Sequence, residues 1–243
     1  MLPTDPFEEF RSGLEDPRKR ARLLQLLIFG AAAAATPAQA FFWGKKTEQL
    51  AEERSILTLK GEVSVNGETA DESTRIRAGD TVRTGDASEV IFAVGGDSFL
   101  LRDNSELQIG GSGFVIDTLR MLTGRLLSVF ASRAQGQQLT VNAATATIGI
   151  RGTGMYLESR PDEVYLCTCY GQVSLASARD PDDSELITTS NHESPRYITS
   201  EAVRGTRIRA APVLRHTNVE LRLLENIVGR DVPRALRKTY IKY

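Results

Sequence analysis

The stretch VYLCTCYGQVSLAS, residues 164–177, decides the fold class of this chain. Its first half, VYLCTCY, is largely apolar at both alternating sets of positions, which is typical of a strand in the middle of a sheet. Its second half, QVSLAS, alternates polar and apolar residues, as a strand with one face towards solvent does. The stretch therefore predicts two β segments, one central and one half-exposed, and the sequence around it continues in the same way.

Short β segments separated by glycine-bearing turns run from Ile56 to about Ala178, and no amphipathic helical period of useful length interrupts them. We find no exact internal repeat, so a regular solenoid is not indicated. The sequence predicts an all-β body of many short strands, in an irregular solenoid-like or sandwich arrangement. The other segments are ILTL, EVSV, EVIFAV, SFLL, ELQI, RLLSVF, QLTV, ATIGI and MYLES.

Glycines mark the expected turns. Asn66-Gly67 is the strongest short hairpin signal in the chain. Arg151-Gly152-Thr153-Gly154 is expected to form a turn between ATIGI and MYLES. A nucleotide-binding loop is not expected there, because its glycine spacing is wrong and a strand rather than a helix follows.

Several motifs in order resemble the FecR domain: GEVSVNG, then IRAGDTVRTGDASEVIF (residues 76–92), SFLLRDNSELQI, MLTGRLLSVF, TVNAATATIGIRGTGMYLE (140–158) and YGQVSLAS. The resemblance covers residues 56–178, about half the chain. It implies a periplasmic β domain linked to transmembrane signalling. Relatives also carry a cytoplasmic helical segment that binds an extracytoplasmic-function sigma factor, and a C-terminal module that responds to an outer-membrane receptor. This chain departs from that pattern at both ends, so the sigma-factor relay is not carried over.

The C-terminal flank predicts a helix. Thr217 followed by Glu220 forms a capping-box pattern, apolar residues follow at helical spacing, and Gly229 is a C-terminal stop signal. A basic tail comes next, which is most often a solvated face. The predicted organisation is a signal segment (1–40), a charged lead-in (41–55), the FecR-like β domain (56–178), an extension of loops and short strands (179–212) and the helical segment with its basic tail (213–243).

The N-terminal region has the pattern of a secretory signal peptide. Arg18 and its basic neighbours precede the apolar run LLQLLIFGAAAAA, and Ala38 and Ala40 supply an A-x-A site. Cleavage after Ala40 is the preferred interpretation. The alternative is an uncleaved anchor that continues through Phe41, Phe42 and Trp43. Both place the body in the periplasm, and membrane contact is expected only through this segment if it is uncleaved.

Composition narrows the classes of function. The formal net charge of −1 gives no basic surplus for nucleic-acid binding. The two histidines, His192 and His216, fit no metalloprotease motif, no G-x-S-x-G elbow accompanies them, and His216 is assigned to packing or capping beside the helix start. The acidic loop at Asp180, Asp182 and Asp183 lacks an EF-hand pattern and is expected to be a solvated turn. We therefore predict a protein that is not an enzyme.

The only cysteines, Cys167 and Cys169, lie one residue apart. On a strand they project from the same face as Tyr165, with Cα atoms about 6.6 to 6.8 Å apart, so an unstrained disulfide is not expected. One interpretation is that they pack as small apolar side chains. The other is that they are thiolate ligands for Cu(I) or zinc, with His192 as a third ligand if its loop folds back beside the strand.

Two hypotheses of function follow. The first is an exported binding or scaffold module of the bacterial envelope, with a sensing or signalling role and no cofactor, whose partner is another envelope protein, a peptide or a glycan. The second is a small periplasmic metal-binding or redox protein that uses the cysteine pair. Neither hypothesis involves nucleic acid, and the sequence leaves the oligomeric state open.

Overall fold

The computed structural model describes residues 50, 54–134 and 137–237. The predicted signal segment, nearly all of the lead-in and the end of the basic tail lie outside this part of the chain. Among the residues that are described, no helix has the length and apolar character needed to cross a membrane.

The described chain is mostly β-structure with one short α-helix near its C-terminal end, as the sequence predicted. The helix, α1, spans Asn218–Ile227, and a short 3-10 helix spans Arg234–Arg237. The fourteen strands are β1 (Ile56–Lys60), β2 (Val63–Val65), β3 (Glu68–Thr69), β4 (Thr81–Thr84), β5 (Glu89–Val94), β6 (Asp97–Leu101), β7 (Glu106–Ser112), β8 (Val115–Val129), β9 (Leu139–Asn142), β10 (Ala146–Ser159), β11 (Glu163–Ser177), β12 (Ser184–Thr189), β13 (Arg196–Val203) and β14 (Thr206–Ala210).

The strands form one mostly antiparallel sheet that does not close, in which β8 and β9 are the parallel pair. Three long strands, β8, β10 and β11, each take part in two sets of pairings. Their sections 124–129, 154–159 and 163–166 form the run β5-β6-β8-β10-β11-β13-β14. Their other sections join β3-β2-β4-β7-β8-β9-β10-β11-β12. Long strands therefore connect the two parts of the sheet.

The turn predicted at residues 151–154 does not form, so that prediction is wrong. These residues lie inside β10, where the register with β11 shifts between Ile150 and Thr153. Gly152 and Gly171 have φ values of 110° and 90°, and a Cβ atom at Gly171 would lie 2.5 Å from the Gly152 carbonyl oxygen. The glycines permit an irregularity with close backbone approach rather than a reversal. For the same reason VYLCTCY and QVSLAS are one strand, β11. The turn at Asn66-Gly67 is confirmed by its positive φ values of 55° and 88°.

Two apolar clusters hold the described chain together. The larger contains residues from both parts of the sheet, such as Val82 and Phe92. The smaller lies on the opposite face of the long strands and is covered by α1 through Leu221, Leu224 and Ile227. Since side chains alternate along a strand, Leu166 belongs to the first cluster, and Cys167 to the second.

Helix α1 begins with the predicted capping box between Thr217 and Glu220. Buried polar contacts attach it to the sheet in addition to its apolar side. Arg102 Nη2 donates to Glu220 Oε1 at 2.5 Å, and the Ser98 hydroxyl donates to the Leu224 carbonyl at 2.7 Å. At the other end of the helix, the Tyr170 hydroxyl donates to Glu225, which also pairs with Arg230.

Candidate metal centre

Both cysteines and both histidines of the chain meet at one place beneath the start of α1. One donor atom from each of Cys167, Cys169, His192 and His216 lies within 4.8 Å of all the others. The four residues are buried, with exposed fractions of 0%, 0%, 5% and 7%. They come from three segments that are far apart in the sequence, so tertiary structure alone brings them together.

Strand β11 positions the two sulfurs. Cys167 and Cys169 are free thiols. Their side chains lie on the face of the strand that α1 covers, and the Tyr165 side chain lies on the same face. β10 flanks β11 on one side, and β12 and β13 flank it on the other. The sulfur atoms are therefore held on a rigid part of the sheet.

The loop between β12 and β13 places His192 beside Cys167. The Glu193 carboxylate accepts hydrogen bonds from the backbone amides of Ser190 and Asn191, each at 2.8 Å, which fixes the loop. Within it His192 takes a left-handed φ of 63°, and its backbone amide donates to the Cys169 carbonyl at 3.0 Å. The ring nitrogen Nδ1 then lies 3.4 Å from the Cys167 sulfur.

His216 is the donor that sequence reasoning missed. It directly precedes the N-cap residue Thr217, and its Nε2 lies 3.0 Å from His192 Nδ1. Its ring stacks on Tyr156, with centroids 4.6 Å apart. No short spacing connects it to the other donors. The available signal was the count of two cysteines and two histidines, which is the ligand set of a common zinc site.

Hydrogen bonds on the far side of each ring decide which nitrogens face the centre. His216 Nδ1 donates to the Leu214 carbonyl at 2.5 Å, and His192 Nε2 donates to Asn218 Oδ1 at 2.7 Å. Both partners are oxygen acceptors, so the inward nitrogens are the ones that carry lone pairs in neutral rings. Two acceptors 3.0 Å apart repel each other unless a proton or a metal ion lies between them.

The electrostatics of the cluster favour binding of a cation. Hydrogen bonds from the Cys169 thiol and then from the two imidazoles outweigh burial and lower the pKa of Cys167 to about 4. Burial and the neighbouring Cys167 sulfur raise the pKa of Cys169 well above its ordinary value. Burial opposes a charge on His192, but the Cys167 sulfur raises the pKa of that ring overall. Around neutral pH Cys167 is therefore a thiolate, a negatively charged donor that attracts a cation.

The distances between the donor atoms are close to those of a tetrahedral zinc site, except that the widest one is too long. With zinc–sulfur bonds of about 2.3 Å and zinc–nitrogen bonds of about 2.0 Å, tetrahedral donors lie about 3.3 to 3.8 Å apart. The nitrogen–nitrogen and sulfur–nitrogen distances given above are 3.0 and 3.4 Å. The widest separation, 4.8 Å, would shorten by about 1 Å on binding.

A second ring of contacts holds the residues that precede His216. Arg215 has a left-handed φ of 53° and donates to both oxygens of the buried Glu158 carboxylate, at 3.3 and 3.0 Å. Glu158 also accepts from the Tyr156 hydroxyl at 2.9 Å. The Tyr165 hydroxyl donates to the Pro212 carbonyl at 2.8 Å. Such outer contacts orient metal ligands.

The acidic loop has protein partners. Asp180 pairs with Arg207 at 3.5 Å, and the Asp183 carboxylate accepts from the backbone amide of Arg207 at 2.6 Å and from the hydroxyl of Thr206 at 2.9 Å. These carboxylates serve the structure of the turn.

No family model and no curated protein matches the chain. Two crystal structures of a candidate anti-sigma factor from Parabacteroides distasonis ATCC 8503, at 1.65 and 2.50 Å resolution, are similar to it. Each has a TM-score of 0.43, with sequence identities of 9% and 10%, and the similarity covers 54% of this chain. The chain spans 58% of the length of those proteins. Likeness of this degree does not decide what the protein binds or does.

Proposed function

We propose that this protein binds one zinc ion through Cys167, Cys169, His192 and His216. The observation that carries the proposal is the convergence of every cysteine and histidine of the chain on one buried cluster, with donor atoms within 4.8 Å of one another. The inward lone pairs of two imidazoles and a preformed thiolate give that cluster the electronic character of a ligand set.

The donor set favours zinc. Two sulfurs and two imidazole nitrogens in a tetrahedral arrangement are typical of structural zinc sites. All four positions are filled by protein atoms, which leaves no place for a bound water or substrate. A closed site of this kind stabilises structure or reports metal, and it does not catalyse hydrolysis. Cu(I) is the competing ion, because thiolates also suit it.

We infer that the zinc site connects an exported, FecR-like β domain, which supplies the two cysteines, to the segments after it, which supply the two histidines, and that the role of the protein is non-catalytic. The order of motifs across residues 56–178 and the N-terminal signal pattern support this setting. Within it, metal binding and contact with an envelope partner are compatible roles, since the centre lies beneath α1 and leaves the strands at the sheet edges free to bind.

The test is metal content. The protein is purified without oxygen and incubated with zinc or Cu(I), and free ions are removed. We expect one zinc ion per chain, and loss of that zinc in Cys167→Ser, Cys169→Ser, His192→Ala and His216→Ala. Thr168→Val is the matched control, because Thr168 lies between the cysteines, is buried, and its hydroxyl has no hydrogen-bond partner among the residues that the structure describes.

Three results would contradict the proposal. Metal-free protein whose thiols react only after denaturation would return the cysteines to simple packing. Preferential retention of Cu(I) in competition would reject zinc as the resident ion. Equal zinc content in the control and the His216 variant would remove His216 from the site.

A further inference from the structure

The described chain covers the zinc site almost completely. Its four donor residues are at most 7% exposed. An ion therefore enters or leaves only when an element that covers the donors moves. The structure indicates which element that is.

The sulfurs and His192 are on tethered elements. The cysteines lie on β11, which is bonded to strands on both sides. The loop that carries His192 is fixed at both ends, because β12 and β13 each pair with β11. Opening either element would break several backbone ladder bonds.

The remaining cover is the segment of residues 212–237, which we call the C-terminal segment. Within the described chain it continues from β14 at one end, and each of its hydrogen bonds to the sheet involves a side chain, while the Leu50 amide donates to the Ile227 carbonyl at 2.9 Å. Side-chain contacts open more readily than a ladder of backbone bonds, since each has its own modest net free energy.

Four consecutive residues at the start of this segment act on the metal centre. Arg215 pairs with Glu158, and His216 supplies a donor nitrogen. Thr217 caps α1. Asn218 then orients the other histidine through its 2.7 Å contact with His192 Nε2. Undocking of α1 would therefore remove His216 from the site. It would also break the hydrogen bond that fixes the tautomer of His192.

We propose that the C-terminal segment is a metal-dependent latch, in which zinc holds α1 on the sheet and loss of zinc releases it. The inference rests on the proposed zinc function. Release would uncover the apolar face formed by residues of β5, β6 and β8, namely Ile91, Leu100, Leu127 and Val129. Metal occupancy would thereby control whether a large part of the sheet surface is covered.

Thermodynamic linkage makes the proposal quantitative. If zinc favours docking of α1 by some factor, then docking favours zinc binding by the same factor. A change that weakens docking far from the donors must therefore weaken zinc binding as well. Ser98 offers such a change, because its hydroxyl binds the Leu224 carbonyl and touches no donor.

The first experiment follows amide hydrogen exchange of the full chain with zinc and with a chelator. Removal of zinc should raise exchange in residues 221–227 at least about tenfold, since the helix opens more often. Amides of β7 and the first part of β8 should not change, because they are remote from the segment. His192→Ala in the presence of zinc should show the same raised helix exchange, although its substitution lies outside the segment.

The second experiment measures zinc affinity in Ser98→Ala against Ser128→Ala. Ser128 is also a buried hydroxyl that donates to a carbonyl, but its partner is Met155 within the sheet. We expect affinity to fall about fivefold in Ser98→Ala, as loss of one net hydrogen bond implies. Ser128→Ala should leave the affinity unchanged.

The two proposals fail in different ways. Absence of bound zinc would overturn the zinc function and the latch together. Bound zinc with identical helix exchange in both states would overturn the latch alone. The latch would also be rejected if Ser98→Ala accelerated helix exchange and left zinc affinity at the wild-type value.

Discussion

Asn218 decides which nitrogen of His192 faces the sulfurs. It is almost fully buried, and its side-chain oxygen accepts from His192 Nε2. Removal of that acceptor in Asn218→Ala frees the ring to change tautomer or rotate. We expect zinc affinity to fall about 10- to 100-fold, as for other outer-shell partners of metal ligands. Competition with a chromophoric chelator measures the change.

Asn226→Ala is the matched control for that substitution. Asn226 lies on the same helix, outside the donor cluster, so it shares the helical context of Asn218. An equal loss of zinc affinity in both variants would mean that Asn218 acts through helix stability alone.

Zinc binding should release protons. Cys169 is a thiol at neutral pH, because burial and the neighbouring Cys167 sulfur raise its pKa well above the ordinary value. The zinc-bound site needs two thiolates, so at least the Cys169 proton leaves when the ion binds. Calorimetry in buffers of different ionisation enthalpy counts them. Release of no protons would contradict the assigned protonation states.

The cysteine pair was visible in the sequence, and the fourth donor was not. Alternation along a strand is a local rule, so the common face of Cys167 and Cys169 was predictable from their spacing. His192 reaches the site only because its loop folds back beside β11. The sequence permits that fold of the loop but contains no pattern that predicts it. His216 reaches the site because α1 packs across the sheet, and no local pattern encodes that contact.

At the scale of elements, Gly154 on β10 makes room for the aromatic ring that anchors the end of α1. A Cβ atom at Gly154 would lie 2.2 Å from Cε1 of Tyr170, whose hydroxyl binds Glu225 on the helix. Gly154→Ala should therefore displace the ring and destabilise the fold by about 1 to 3 kcal/mol. Chemical denaturation measures the loss.

A double-mutant cycle separates this clash from other effects. In the Tyr170→Ala background the ring is absent, so Gly154→Ala should cost much less there than in the wild-type chain. Equal costs in the two backgrounds would show that the glycine matters for its backbone and not for its neighbour.

Elements were predictable where one physical rule dominates. The capping box gave the start of α1, and Asn66-Gly67 gave the β2–β3 turn, because each is encoded within four residues. Gly152 led to the wrong prediction of a turn, because a glycine inside a strand has the same sequence signature as a glycine in a turn. Only pairing with β11 across the sheet makes β10 continuous, and that pairing joins residues distant in the sequence.

For the whole molecule, zinc should raise the temperature of unfolding. An ion at 100 times its dissociation constant stabilises the folded state by about 2.7 kcal/mol, because the unfolded chain lacks the assembled site. For a chain of this length the midpoint should rise by about 5 to 10 °C. Differential scanning calorimetry with zinc and with chelator measures the shift. His216→Ala should abolish it, and a full shift in that variant would contradict the site.

The long strands also set the order of events in time. A chain grows from its N-terminal end, and the 124–129 section of β8 has its later partner only when β10 is complete. Closing such distant pairings is slow, on the order of milliseconds to seconds. The zinc donors lie still later in the sequence, from residue 167 to residue 216, so the site is complete only when β11, the loop of His192 and the start of α1 have packed together. We therefore expect zinc to slow unfolding more than it speeds folding, as interactions that are absent from the transition state do.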